Sequence, residues 1–250
     1  MSDVVLDAAW LGLVPYADAW ARQCAVHDAR VAGALPDTLL LLEHPPTYTL
    51  GRRALEQDLR FDAAERAARG IELHRATRGG RATYHGPGQL VGYPILSFRA
   101  RYDVATYCTQ LEEALLRTAA DLGVAGRRDP EHRGVWVDEA KLASIGVKLS
   151  RGVSLHGFAF NVCPDLGMFD GIVPCGIADR GVTSVAAETG VVHDVAAVAR
   201  RAAGHLAGVL GRTVAWVAAD ALPGPAAAGS PDDPAGRLRP TGETIATSAR

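Results

Sequence analysis

The chain has 250 residues, enough for one large α/β domain or two small ones. Hydrophobic residues make up 48% and charged residues 22%, which permits a sizeable core and excludes a wholly disordered or collagen-like protein. With 26 Lys and Arg against 28 Asp and Glu, the formal charge is −2, so no overall field draws the chain to nucleic acid or to an anionic membrane.

Cysteine spacing and the N-terminus indicate the cellular compartment. The N-terminal segment has no basic residue before Arg22, so it lacks the positive region of a signal peptide. The longest uncharged run, residues 82–98, is too short and too polar to span a bilayer. We therefore expect a cytoplasmic protein with reduced thiols, because no CxxC pair occurs among its widely spaced cysteines: Cys24, Cys108, Cys163 and Cys175.

Hydrophobic periodicity predicts the elements of the first half in chain order. A three-and-four spacing of apolar residues predicts a helix over 14–33. The continuous apolar run of residues 38–43 predicts a buried strand, because the prolines after His44 close it. Further along, the pattern predicts a strand at 48–51, a short helix at 62–69, and strands at 71–75 and 90–96.

The second half begins with a helix that Asp103 can cap, with an apolar stripe that ends at Gly123. Three β-rich runs with short links follow, at 134–137, 142–149 and 153–162, which favours antiparallel neighbours. A last, Ala-rich helix is predicted at 194–210. The element order predicts an α/β (α+β) fold, a single domain over residues 1–220 with a mixed, largely antiparallel sheet flanked by helices.

Residues 221–250 are predicted to be a disordered tail. Five prolines and four glycines fall between Ala221 and Gly242, among Ala, Ser and Asp. Such a composition cannot bury enough apolar surface to offset the entropy of ordering.

Four glycines lie within eleven residues in the Arg78-Gly79-Gly80 and His85-Gly86-Pro87-Gly88 segments, where backbone amides can approach a ligand closely. The spacing matches neither a Walker loop nor a GxGxxG dinucleotide site. The alternative is a pair of tight turns. Arg75, Arg78 and Arg81 add a positive rim, or simply a solvated face.

One cysteine and one lysine are candidates for chemistry. Pro174 and Gly176 flank Cys175, so a turn there can present the thiol, although a buried and inert cysteine is the simpler alternative. The other three cysteines have the setting of small core residues. A nucleophilic thiol needs a partner that favours the thiolate, and Lys141, at the start of a predicted strand, is the candidate. An ordinary edge lysine is the alternative, and Lys148 should point to the opposite face.

Two predicted strands together suggest an apolar groove. Along 153–162, His156 and Phe158 share one face, and the small Gly157 and Ala159 share the other. With small residues on the neighbouring strand, the second face leaves room for an apolar chain. His156 can also be a satisfied core histidine.

Five motifs, in this order, resemble the lipoyl(octanoyl) transferases across roughly residues 38–185. They are EHPP with TLGR (residues 43–52), RGGRATYHGPGQ (78–89), KLASIG (141–146), HGFA (156–159) and PCG (174–176). Each motif alone is weak evidence for any family, but the five motifs together and in this order are specific to this one. The tail lies outside the resemblance.

The resemblance implies a fold similar to the catalytic domains of biotin and lipoate ligases. It implies transfer of an octanoyl group from the phosphopantetheine thioester of acyl carrier protein to a lysine of lipoyl domains, in 2-oxoacid dehydrogenase complexes and the glycine cleavage H protein. It also implies no metal, no ATP and no other cofactor. Two readings stay open: an ATP-dependent lipoate or biotin ligase on the same fold, and a non-enzymatic acyl-binding protein.

By the same resemblance, Cys175 is the acyl-thioester nucleophile and Lys141 activates it. Ser144 departs from the small apolar residue expected at its position. The residues implied to bind the acyl substrate are Arg78, Gly79, Gly80, Arg81, Ala82, Thr83, Tyr84, His85, Ser144, Ile145, Gly146, His156, Gly157, Phe158 and Ala159.

Overall fold

A computed structural model describes residues 5–98, 103–173 and 180–224, which contain two β-sheets and the helices that cover them. The main sheet has the strand order β10-β8-β9-β6-β2-β1-β11, with β7 also paired to β8. Its strands are β1 (Val5–Leu13), β2 (Thr38–Glu43), β6 (Gln89–Ile95), β7 (Val135–Val137), β8 (Ala140–Ser150), β9 (Val153–Asn161), β10 (Gly181–Val182) and β11 (Thr213–Trp216).

The centre of the main sheet is antiparallel and its two edges are parallel. Strands β2, β6, β9 and β8 pair antiparallel with one another in that order. At one edge β1 pairs parallel with both β2 and β11, and at the other β10 pairs parallel with β8. The fold prediction of a mixed, largely antiparallel sheet is confirmed.

Helices cover both faces of this sheet. Helices α3 (Val104–Asp121) and α5 (Val195–Val209) pack against each other and against one face, and α1 (Tyr16–Val31) packs against the other. This arrangement explains why β2 is apolar throughout, because Leu39 and Leu41 enter the core under α3 and α5 while Leu40 and Leu42 enter the core under α1. Two shorter helices, α2 (Ala63–Ala68) and α4 (Val185–Thr189), lie in connections.

A three-stranded sheet beside the main sheet has the order β4-β3-β5 and its own small apolar core. The strands of this sheet are β3 (Thr47–Leu50), β4 (Glu72–Arg75) and β5 (Ala82–His85). We call residues 51–81, which join β3 to β5 and include β4, the small lobe. Strand β3 pairs parallel with β4 and antiparallel with β5.

Strong local signals predicted most elements correctly. Helix α3 follows Asp103, whose carboxylate accepts from the Ala105 and Thr106 amides, and ends just before Gly123, which has a φ of +82°. The structure adds β1, α4 and β11, which the periodicity did not reveal. It also corrects one expectation: the glycine-rich segment expected to be loop between two strands contains strand β5.

The predicted domain boundary falls at residue 221. Leu222 is buried in the core under α1, and the Arg22 side chain donates to the Ala219 carbonyl at 2.7 Å, so the chain still packs at this point. The predicted tail from residue 225 onward lies outside the described residues.

Candidate active site

A cavity that is partly open to solvent lies where α1, the 76–81 loop, β5, β8 and β9 meet. The loop and β5 contribute Arg78, Gly80, Arg81, Thr83 and His85, and β8 contributes Ser144, Ile145 and Gly146. Four consecutive residues of β9 complete that wall: His156, Gly157, Phe158 and Ala159.

Twelve of the fifteen residues implied to bind the acyl group therefore line one cavity. Ala82 and Tyr84 do not, because side chains alternate along β5 and these two enter the small apolar core of the three-stranded sheet. Gly79 is also absent from the wall. Its amide donates to the Val147 carbonyl at 3.1 Å and so fastens the loop to β8.

Sequence reasoning missed two aromatic residues of the wall, Tyr16 at the start of α1 and Tyr93 on β6. The Tyr93 hydroxyl contacts His44 Nε2 at 2.7 Å, and His44 Nδ1 donates to the Val14 carbonyl at 2.6 Å. Since Nδ1 carries the proton, Nε2 accepts from Tyr93. The His-Pro-Pro segment carried a motif signal, but neither tyrosine stood out in the sequence.

Arg78 is buried and holds the loop in place. Its guanidinium donates to the carbonyls of Gly79, Arg81 and Thr49 at 2.7 to 3.1 Å, and to the Thr49 hydroxyl at 2.7 Å. These bonds fix a positive charge beside the cavity and tie the loop to β3.

Arg81 is held by a buried carboxylate. Its Nε donates to Asp58 Oδ2 at 2.9 Å, and its Nη2 donates to Oδ1. Asp58 is fully buried, and its Oδ2 also accepts from the Leu55 amide at 2.9 Å. The pair connects the cavity wall to the segment before α2, because Asp58 belongs to the 3₁₀ turn Glu56–Asp58.

His85 is part of a hydrogen-bonded chain that leads away from the cavity. The Gln89 amide nitrogen donates to the Tyr84 carbonyl and to Asn161 Oδ1, so Gln89 Oε1 accepts from His85 Nδ1 at 2.8 Å. His85 Nε2 is then the acceptor, at 3.3 Å from the Thr49 hydroxyl. Asn161 extends the chain to the Thr183 carbonyl at 2.9 Å, next to β10.

The histidines around the cavity are neutral at physiological pH. Burial lowers the pKa of His44 to about 4, and burial lowers the pKa of His85 well below its usual value. Burial, followed by the nearby charges of Arg78 and Lys148, lowers the pKa of His156 to about 3. These imidazoles therefore offer fixed hydrogen-bonding groups rather than charge.

His156 interrupts the regular course of β9. Its φ is +58°, and its amide donates to the buried Gln23 side chain of α1 at 3.0 Å. The ring stacks on Trp20 at 4.8 Å, and Nε2 is 3.0 Å from the Thr77 hydroxyl. His156 is thus a packed and hydrogen-bonded histidine that also lines the cavity. The prediction that it shares a face with Phe158 is wrong, because the positive φ turns its ring toward α1 while Phe158 enters the core under α3 and α5.

The small residues of β8 and β9 are direct neighbours, with Ser144 paired to Ala159 and Gly146 paired to Gly157. The space expected beside Gly157 is already filled, however. A Cβ there would lie 2.2 Å from the Gly92 carbonyl oxygen and 2.5 Å from Pro94 Cδ, both on β6. A Cβ at Gly146 would instead approach Arg78 Cδ at 3.0 Å, on the cavity side.

Lys141 is buried on β8, three residues before the first cavity residue of that strand. Its Nζ lies 4.6 Å from the ring centroid of Trp136, and the guanidinium carbon of Arg180 lies 5.3 Å from the same centroid. Strand β10 pairs with this end of β8, with Val182 opposite Lys141 and the Thr183 amide donating to the Lys141 carbonyl at 3.0 Å.

Cys175, with Pro174 and Gly176, lies outside the described residues. Among the other cysteines, burial raises the pKa of the Cys108 and Cys163 thiols, so both stay protonated. In the described ranges no three His, Cys, Asp or Glu side chains are grouped so that they could ligate a metal ion. No helix within those ranges has the length and apolar character needed to cross a membrane.

The fold is the one found in lipoate and biotin protein ligases. The structure resembles a bipartite lipoate protein ligase from Thermoplasma acidophilum, with a TM-score of 0.68 at 19% identity over 85% of this chain and 86% of that one. A biotin protein ligase from Aquifex aeolicus gives a TM-score of 0.51 at 15% identity, over 82% and 70% of the two chains. At such identities the likeness shows the fold.

Sequence comparison gives the family. The model of the lipoyl protein ligase A/B catalytic domain matches residues 15–207, and the chain belongs to this family. The octanoyltransferase of Rubrobacter xylanophilus is 48% identical over 203 residues, which cover 80% of this chain and 91% of that protein. The octanoyltransferase of Mycobacterium avium is 49% identical over 193 residues, 75% and 79% of the two chains.

Proposed function

We propose that this protein transfers an octanoyl group from octanoyl acyl carrier protein, through a thioester on Cys175, to a lysine of a lipoyl domain. Its relatives at nearly half identity are octanoyltransferases, so the chain is an acyltransferase of protein lipoylation. The acyl carrier donor, the thioester on Cys175, the individual lipoyl-domain acceptors and a cytoplasmic location are the parts of the proposal that need experiment.

The observation that carries the proposal is that three motifs, far apart in the sequence, line a single cavity with a partly apolar wall. Its β9 wall is apolar at Phe158 and Ala159, and the charged Arg78 and Arg81 are held in place by other protein groups. An octanoyl chain can therefore enter the apolar part while its thioester stays near polar groups.

Two described positions support a reaction between Cys175 and Lys141. Val173 is two residues before Cys175, a span of at most about 7 Å. Its amide donates at 2.8 Å to the carbonyl of Asp58, whose side chain holds the cavity residue Arg81. On the other side, Gly181 follows Cys175 by six residues and pairs with Ala140, next to Lys141.

The chemistry is a two-step thioester exchange. Lys141 accepts the thiol proton, the Cys175 sulfur forms a bond to the thioester carbonyl carbon, and the bond from that carbon to the phosphopantetheine sulfur breaks. The proton goes to the leaving thiolate. The neutral amine of an acceptor lysine then attacks the carbonyl carbon of the acyl-enzyme. As the C–N bond forms, the nitrogen loses one proton to Lys141, and the C–S bond breaks so that the Cys175 thiolate leaves. Because the donor is already a thioester, no ATP is consumed.

Backbone amides of the glycine-rich segments are candidates to stabilise the oxyanion of this reaction, but two of them have other partners. The Gly79 amide donates to the Val147 carbonyl, and the Gly88 amide donates to Glu43 Oε2 at 2.6 Å. These two groups therefore hold the loop in shape, and an oxyanion donor must be sought elsewhere in the site.

Intact-mass measurement tests the proposal. Mixing the protein with octanoyl acyl carrier protein, without nucleotide, should add one octanoyl mass that hydroxylamine removes. Cys175→Ser should lose this adduct and the transfer to a lipoyl domain, whereas Cys108→Ser, the matched control, should keep both. An absolute requirement for ATP would support the ligase alternative, and acyl binding without a covalent adduct would support the acyl-binding alternative.

The role of Lys141 needs its own experiment. If its ammonium favours the Cys175 thiolate, the pH midpoint for alkylation of Cys175 should move upward in Lys141→Met. Lys148→Met serves as the control, since Lys148 lies seven residues along β8 and outside the proposed dyad. An unchanged midpoint in Lys141→Met would remove Lys141 from the mechanism.

A further inference from the structure

Positive charge is concentrated in one part of this weakly acidic chain. The small lobe, residues 51–81, contains eight arginines and five carboxylates, a formal charge of +3, while the whole chain carries −2. Four of these five carboxylates already form contacts with groups of the small lobe itself. Asp58 is buried against Arg81, Asp62 and Glu65 cap α2, and Glu72 contacts His74.

Arginines elsewhere in the described residues are mostly neutralised. Ion pairs to Asp or Glu hold Arg30, Arg117, Arg127, Arg128, Arg133, Arg151, Arg180 and Arg212. By contrast, Arg52, Arg53 and Arg75 of the small lobe are exposed, and none forms an ion pair within the described part of the chain.

These three arginines are fixed near the cavity by their backbones. The Arg52 amide donates to the Arg78 carbonyl and the Arg53 amide to the Gly80 carbonyl, each at 3.1 Å. Arg78 and Gly80 both line the cavity.

Arg75 ends β4, and Thr77, two residues later, bonds to the His156 ring of the cavity wall. On β8, Lys148 is half-buried and lies two residues beyond the cavity residue Gly146. After burial and the charge of Arg78, its charge is the third cause that lowers the pKa of the His156 ring. We call Arg52, Arg53, Arg75 and Lys148 the basic collar.

We propose that the basic collar is the docking surface for the acyl donor, an acidic carrier protein whose acyl group hangs on a phosphodiester-linked arm. This inference rests on the proposed function, because it names how the donor of that reaction is recognised. A carrier of this kind presents negative charge on its surface and on the phosphate beside the thioester. Each collar residue is bonded through its backbone to a residue that lines the cavity, or lies within two or three residues of a residue that lines or contacts its wall.

Such a surface acts mainly on the encounter between the proteins. Exposed charges at the rim of an interface raise the association rate and make it sensitive to salt, and they contribute little to the chemistry inside the cavity. Removing them should therefore change the use of a protein donor and leave the use of a small uncharged donor intact.

The experiment compares two donors in the acylation half-reaction, followed as the octanoyl adduct by intact mass. The variant Arg52→Glu/Arg53→Glu should lower kcat/KM for octanoyl acyl carrier protein by about tenfold or more at low salt. Added salt should slow the wild-type protein and have much less effect on the variant. With octanoyl-pantetheine, which carries no phosphate, the variant and the wild-type protein should react equally fast.

Arg201→Glu is the matched control, because Arg201 is an exposed arginine of α5, on the opposite face of the main sheet from α1. This variant should leave kcat/KM unchanged for both donors. Equal loss with both donors, or no loss with the carrier protein, would overturn the proposal.

The acceptor reaction supplies the remaining check. In this check, enzyme acylated with octanoyl-pantetheine is mixed with a lipoyl domain, and transfer to the lipoyl domain is measured. If the double variant is slow only in this step, the collar binds the acceptor and the proposal is overturned. Failure of the wild-type protein to form an adduct from octanoyl acyl carrier protein would instead refute the proposed function.

Discussion

Replacing Gly157 by alanine should destabilise the protein, although the sequence suggests that this position faces an open groove. The added Cβ would lie 2.2 Å from the Gly92 carbonyl oxygen, so either β6 or β9 must shift. Overpacking of this kind costs about 2 kcal/mol. For a chain of this size, that loss lowers the melting temperature by about 4–8 °C.

Gly146→Ala is the matched variant, because Gly146 is paired with Gly157 across the two strands. Its Cβ would meet Arg78 Cδ at 3.0 Å and the Gly79 carbonyl at 3.2 Å, both in the loop of the cavity wall. The same change of residue reduces the entropy of the unfolded chain equally in both variants. We expect a loss below about 1 kcal/mol for Gly146→Ala.

Thermal and urea unfolding measure this difference, and competition between octanoyl and butanoyl donors measures any change in the cavity. Gly157→Ala should lose stability and keep the preference of the wild-type protein for chain length. If Gly157→Ala melts within 1 °C of the wild-type protein and prefers the shorter donor, Gly157 faces the groove and the reasoning from its contacts with β6 is wrong.

Three further outcomes are expected. Asp58→Asn weakens the buried pair with Arg81 and should cost about 3 kcal/mol in urea unfolding; an unchanged midpoint would contradict it. His44 is neutral when folded, with a pKa of about 4, but takes up a proton near pH 6.5 when unfolded, so the free energy of unfolding should fall by about 3 kcal/mol between pH 6.5 and 4. The fall should be shallower in His44→Gln, and equal slopes would refute this assignment. Removing residues 226–250 should leave melting temperature and activity intact, and a large loss of either would show that the tail packs.

Much of the fold could be predicted because its signals are local. The continuous apolar run of β2 predicts a strand buried on both faces, and Asp103 with Gly123 marks the two ends of α3. Strand β5 was missed because four residues between glycines do not show a clear period. Its pairing with β3, which is distant in the sequence, makes it a strand.

The sequence predicts which motifs form the candidate site, but it does not predict which side chains of those motifs face the cavity. Nothing local to RGGRATYHG indicates that Thr83 and His85 face the cavity while Ala82 and Tyr84 enter a separate core. That division depends on which face of β5 is covered.

The amino-acid sequence establishes the chemical groups present, the longer elements and the family. Which of these groups share a cavity wall depends on contacts between residues far apart in the chain, and these exist only in the folded protein. Tyr16 and Tyr93 become cavity residues through the packing of α1 on the main sheet. Gly157 faces β6, and Arg52 and Arg53 are held beside the cavity loop, through backbone contacts that no local pattern encodes.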